Sequence, residues 1–417
     1  MTTFLANFPC QSVLSTACRP RRYGSILLGL CVQTLFTVSG SHGETLQERL
    51  EKATELREFN TEGAHVRQIA VARDIVAFLL WKKDSSVAVA YDLSGVSCFR
   101  YGVPDTTFHR LQHIELSADG STAVIAEAID NEISKYTVLQ PHVGPQFELL
   151  SPFALVPSPR GRYFSQLGPL ASGTPLRLYD GKGQLLQQFN YIKYATSEFL
   201  SDDRLVYVDP DSVRYVDTRL RRVTGVFALK LRGRATVPGI AVSPSRKLVA
   251  VYNSNSIVLL SDDGKEIWRD STSDHLCAAT FHSTAPLLAL LLRDTASTYG
   301  YLKVVSWQGQ GAQWFSHKIG LLAQADCCGL ERLQFAGDII SISGPISFDL
   351  EMLSPDIDYW TMFIALDSSL APVGEPFFDH GQYLSLGDSR ILQHYVHLLP
   401  RNRTTLVGLR IPGWEAK

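Results

Sequence analysis

The sequence predicts an all-β chain wound into a single β-propeller of eight four-stranded blades, with seven as the alternative count. A signal segment and a short helix are expected before it. Three observations carry this expectation. An apolar strand, a small polar turn and a second apolar strand recur as a unit, at a spacing of roughly 40 to 50 residues. Val, Ser, Tyr, Phe and Thr are plentiful, and β-branched and aromatic side chains suit a pleated, half-buried surface. No long helical pattern appears once the repeats begin.

The first 43 residues differ from the rest and read as an export signal. Arg19, Arg21 and Arg22 precede "GSILLGLCVQTLFTVSG", which carries no charge. Its apolar run of about 13 residues falls short of the ~20 that span a bilayer. Small residues follow, with cleavage expected after Gly40 or Gly43 and an uncleaved anchor as the alternative. The stretch before Pro20 is unlike an ordinary leader start, which places the working start further in. Cleavage leaves Cys98, Cys277, Cys327 and Cys328, which export would permit to pair, although a core this large needs no staples and free buried thiols are the plain reading.

Residues 44–65 are read as a lead-in. "ETLQERLEKATELREF" has helix-forming composition and apolar spacing near 3.6, so a short helix is expected there. Residues 66–417 are the propeller. Its eight units are "IAVARDIVAFLLW", "IELSADGSTAVIAEA", "FALVPSPRGRYFSQL", "SEFLSDDRLVYV", "GIAVSPSRKLVAVY", "AATFHSTAPLLALLL", "LQFAGDIISISG" and "YLSLGDSRILQHY". Ser or Asp opens each turn, Pro presets φ where it occurs, and Gly or a small residue closes it. Nearly continuous apolar runs such as "KLVAVY" mark strands buried on both faces. More polar, alternating stretches such as "SIVLLSDDGKEIWRD" supply third and outer strands. The last unit supplies three strands of its own, so "LREFN" from the lead-in is expected to close the ring and remove a sheet edge.

"LSADGSTAVIA" and "VSPSRKLVAVY" resemble the turn repeats of WD40-like and related bacterial β-propellers. The resemblance covers roughly residues 66 to 412 and implies architecture, not activity; the Gly-His and Trp-Asp signatures of true WD40 repeats are absent. "LLSDDGKEIW" loosely resembles the docking repeats of propellers that bind pyrroloquinoline quinone, through Leu260, Asp262, Gly264, Lys265 and Trp268. "LYDGKGQLLQQF" keeps Asp180 and Gly183 with Leu186 in place of Trp, and "YDLSGVSCF" keeps Asp92 and Gly95 with Cys98. The plain alternative is the tight hairpin that Asp-Gly ordinarily signals. Adjacent Cys327 and Cys328 resemble the vicinal pair of some quinone-dependent alcohol dehydrogenases, and two unbridged thiols are the simpler reading because adjacent bridging is strained.

Two further constellations offer binding chemistry. In "RYVDTRLRRVTGVFALKLRGR", Arg214, Arg219, Arg221, Arg222, Lys230, Arg232 and Arg234 face only Asp217. On an outer strand and its exit loop they would make a local positive patch for an acidic partner, a lipid headgroup or a sulfated glycan, or simply guard a sheet edge, which is the favoured reading. In "SFDLEMLSPDIDYWTMF", Asp356, Asp358, Tyr359 and Trp360 join acidic residues to aromatic interface anchors; for Trp360 the start of a strand is the favoured reading. The acidic spacing lacks the Gly and final Glu of a calcium loop. His109 with His113, and His394 with His397, read as surface or satisfied core histidines.

A net charge of −2 supplies no global field for nucleic acid, and the basic ribbon lacks the interleaved aromatics that stack on bases. No nucleophile elbow, phosphate loop or dinucleotide fingerprint occurs in the sequence. The reading is a non-catalytic scaffold, exported to the periplasm or beyond, for a protein partner in the cell envelope. No cofactor and no membrane span after signal removal are expected. The alternatives are a quinone-dependent periplasmic oxidoreductase using pyrroloquinoline quinone with Ca²⁺, or a propeller that binds glycans or small ligands.

Overall fold

The computed structural model describes residues 54–59, 64–106, 109–130, 133–168, 173–192, 195–229, 238–282, 284–294, 299–308, 313–321, 332–336, 339–344, 360–366, 372–380, 382–387, 390–397 and 403–410. Within them the chain forms eight four-stranded antiparallel sheets and no helix. Each sheet is a blade, and in chain order the blades span 65–104, 110–151, 155–192, 196–228, 239–271, 275–321, 332–380 and 382–410. First strands of neighbouring blades pack together in the run from blade 4 through blade 8 and blade 1 to blade 3, and the ring closes where His65–Ala72 of blade 1 meets Gln382–Gly387 and Arg403–Arg410 of blade 8. All eight sequence units fall on the first and second strands of successive blades.

Thr54–Phe59 is the outer strand of blade 8 and runs antiparallel to Arg403–Arg410. The strand expected from "LREFN" to complete the last blade is thus present over Leu56–Phe59, while the helical expectation fails over Thr54–Phe59, because pairing with Arg403–Arg410 outweighs local spacing. The rest of the expected helix and the whole expected export signal lie outside the described residues. No helix among the described residues is long and apolar enough to cross a membrane.

The core is a ring of separate inter-blade layers. Leu176, Leu178, Phe199, Leu205 and Tyr207 fill the layer between blades 3 and 4, and Val213, Tyr215, Val249 and Val258 fill that between blades 4 and 5. A strand sandwiched this way must be apolar on both faces, as the runs "LVAVY" and "LLALLLR" are.

The turns repeat at atomic detail. Ser117, Ser158 and Ser243 open equivalent turns, where each hydroxyl accepts a backbone N–H four or five residues on, at 3.0 to 3.1 Å. Gly120 and Gly161 close two of them at φ +73° and +63°; Arg246 holds the same place at φ +56°. The Arg246 guanidinium donates to the Phe199 carbonyl of blade 4 at 2.6 Å, so the strained residue ties two blades together.

Candidate functional site

Blade 4 carries the described part of the basic ribbon. Arg219 and Arg221 lie in the turn between its third strand, Ser212–Asp217, and its outer strand, Arg222–Ala228. Arg222 opens the outer strand, and Val223–Ala228 carry no charge. The positive residues therefore do not guard the length of this edge, as the edge-protection reading required. Nor do they meet Asp217 alone. Arg219 Nε donates to Asp203 Oδ1 at 2.6 Å, and Arg214 Nη2 lies 3.7 Å from Asp209 Oδ2. Folding brings in acids that lie 16 and 5 residues away in sequence. Arg221 and Arg222 make no ion pair among the described residues.

One face of blade 4 opens toward blade 3. Tyr207, Arg214 and Val226 are direct cross-strand partners, so their side chains form a row across the second, third and outer strands. Val223, three residues before Val226, would face the other way in a regular strand. A β-bulge corrects this: Tyr215 pairs with Gly225 while Val216 pairs with Val223, which leaves Thr224 as the extra residue. Both valines thus line the same groove, with Val226 64% and Val223 36% exposed.

The opposite wall is the outer strand of blade 3, Leu185–Ile192, which contributes Gln187, Gln188, Phe189 and Asn190. The groove encloses about 450 Å³. Among the described residues Arg214 is its one ionic lining residue; the guanidinium stands over the Tyr207 ring at 5.7 Å and donates to the Tyr207 hydroxyl at 3.4 Å. These contacts and Asp209 hold its charge more firmly than in an ordinary arginine. Sequence reading named Arg214 within the ribbon but missed Tyr207, Phe189, Val223 and Val226, because a bulge and an inter-blade wedge leave no pattern in sequence.

The other candidates separate from this groove. Trp360 opens the third strand of blade 7, Trp360–Leu366, which agrees with the strand reading. Asp356, Asp358, Tyr359, Arg232, Arg234, Cys327 and Cys328 lie outside the described residues. Cys98 is a free buried thiol, whereas Cys277 is disulfide-bonded to a partner outside the described residues, so the free-thiol expectation fails at that position. His109 and His113 do not converge: they approach Glu127 at 3.5 Å and Glu115 at 3.7 Å respectively.

The quinone-type repeat is a shared hairpin. Gly95, Gly183 and Gly264 take φ of +80°, +77° and +85°. Each donates its N–H to the carbonyl three residues back, on Asp92, Asp180 and Ser261. The Asp92, Asp180 and Ser261 side chains accept a further N–H from Val96, Gln184 and Lys265. Trp268 and Leu186 pack into the layers between blades 5 and 6 and between blades 3 and 4. Turn geometry and inter-blade packing thus account for the repeated residues.

Comparison with solved structures matches this arrangement to the C-terminal WD40 domain of Sif2, at 12% identity and a TM-score of 0.56, over 87% of this chain and 99% of that one. The fold is a WD40-like β-propeller. A structure of the eukaryotic initiation factor aligns with this propeller at 9% identity and a TM-score of 0.50, covering 79% of this chain and 91% of that one. The complex of KlAtg21 with the coiled-coil of AgAtg16 aligns at 13% identity and 0.49, over 76% and 99%. At such identities the likeness concerns the WD40-like fold. No family model matches the chain, and no curated protein matches it in sequence.

Proposed function

We propose that this propeller is a docking scaffold for protein partners, and that the groove between blades 3 and 4 is where a partner seats. The observation that carries the reading is the groove itself, a recess with exposed valines and an aromatic floor on a rigid ring. Apolar side chains left open beside an oriented cation are the ingredients of a recognition surface, and position is all the scaffold has to supply. The exported compartment belongs to the same proposal. Its support is the basic-then-apolar leader and the disulfide at Cys277, which suits an oxidising environment.

A photo-crosslinking residue placed at Val226 in the full-length chain tests the docking site. Irradiation in cell-envelope extract should give discrete adducts with Val226 and none from the same probe at Val143, an exposed position on blade 2. Equal adducts at both positions, or none at Val226, would remove the groove from the reading. Separately, a reporter fused at the C-terminus should fractionate outside the cytoplasm, and retention inside would refute export.

A further inference from the structure

We infer that Arg214 anchors a carboxylate of an acidic peptide segment laid in the groove between blades 3 and 4; this deepens the docking reading and rests on it. A guanidinium has five N–H donors in a planar fork. Among the described residues Arg214 uses one of them, in a long bond to Tyr207. Asp209, at 3.7 Å, is within ion-pair range but beyond hydrogen-bond length. The Asp209 carboxylate is already engaged, because Oδ1 accepts the N–H groups of Asp211 and Ser212, and the Ser212 hydroxyl reaches both oxygens at 3.1 Å. Asp209 therefore orients the arginine without consuming its donors. The Tyr207 ring fixes the plane of the fork, and 34% of the Arg214 side chain remains exposed. This is a partly desolvated cation, held in place, with its bidentate face unspent.

The surroundings choose the occupant. The other described lining residues are uncharged, so the Arg214 guanidinium is the charge the groove presents to an occupant. Phe189, Val223 and Val226 give apolar contact that a free inorganic ion cannot use. Gln188 Oε1 already accepts from Arg177 and Gln187 Nε2 donates to the Gln188 carbonyl, so the Asn190 amide, Gln187 Oε1 and Gln188 Nε2 are the groups that offer partners to a peptide backbone. A recess of about 450 Å³ holds a short segment rather than a domain face.

Fluorescence anisotropy with the whole propeller and a labelled, end-blocked peptide, Val-Glu-Val-Glu-Val-Glu-Val, tests the inference. The peptide should bind, and replacing its Glu with Gln should weaken binding about tenfold or more. Arg214→Gln should cause the same loss, with an unchanged circular dichroism spectrum, and Arg214→Lys should recover part of it because a point charge lacks the fork. Unchanged affinity in a folded Arg214→Gln protein would overturn the anchor. So would equal binding of the Gln peptide. A Ser-Glu peptide binding as tightly as the Val-Glu peptide would overturn the peptide segment in favour of a simple anion site. If Val226 still crosslinks to a native partner while the Val-Glu peptide fails to bind, docking stands and the acidic class falls.

Discussion

Glu198 sits on the first strand of blade 4, Thr196–Ser201, and shows what a single residue can reveal. Burial pushes its carboxyl up to about 7, the Glu115 carboxylate of blade 2 pushes the same way, and Arg246 opposes both. The folded state therefore keeps a proton that the unfolded chain releases near the ordinary value of 4.5. Between those two values the folded protein binds more protons, so stability falls as pH rises through the window and levels off above it. Urea unfolding at stepped pH should show that decline from about pH 5 to 7 in the native protein. Glu198→Gln should flatten it; an identical slope in both proteins would refute the assignment. Tyr215 offers a second check, since its hydroxyl donates to the Ser261 carbonyl of blade 5 at 3.0 Å. Tyr215→Phe should lower stability by about 1 kcal/mol in the same unfolding series. Residue-level legibility was uneven. The arginines of the ribbon were plain in sequence, but the pairing of Arg219 with Asp203 and the seat of Arg214 over Tyr207 depend on strands meeting across a sheet.

At the scale of the element, the turns and the closing strand from "LREFN" were legible, whereas the helix expected across the lead-in was a misreading at Thr54–Phe59. Ser-x-x-Gly turns announce themselves because their chemistry is local: the first side chain caps the backbone, and the fourth residue needs a positive φ. Gly161 adds a constraint that sequence does not display. A Cβ there would lie 1.9 Å from Thr122 Oγ1 of blade 2, so the turn is a contact between blades as well as a reversal of the chain. Gly161→Ala combines a left-handed backbone with a steric clash, and should cost about 2 to 3 kcal/mol, read as a lowered urea midpoint at unchanged slope. Gly144→Ala is the comparison without a clash: its φ of +108° lies further from the left-handed region open to Ala than that of Gly161, yet nothing lies within 4 Å of the added atom. A larger loss at Gly161, despite its milder φ, isolates the inter-blade clash; no measurable loss at Gly161 would refute it. The lead-in misled for the opposite reason. "TELREF" has no strong β signal of its own, and its conformation is set by Arg403–Arg410, more than 300 residues away in sequence.

For the molecule as a whole, that distant pairing completes the eighth blade. Seven blades are each built from one continuous stretch, while blade 8 joins three strands from the C-terminal end to one from the lead-in. Without Thr54–Phe59, Arg403–Arg410 would become an open edge. Phe59 is the fastening: it is 4% exposed and packs edge-on to Phe78 at 5.6 Å and against Tyr91 at 6.0 Å, both in blade 1. It thus belongs by backbone to blade 8 and by side chain to the layer shared with blade 1. Phe59→Ala removes a buried ring at this junction and should cost about 3 to 5 kcal/mol. The loss should be felt cooperatively, because each blade is stable only while both neighbours cover it. Hydrogen exchange distinguishes the cases: if the strand fastens the ring, protection should fall first in blades 8 and 1 and then throughout. Loss of protection confined to Thr54–Phe59, with blades 1 and 8 unchanged, would mean that the ring holds its shape without this strand.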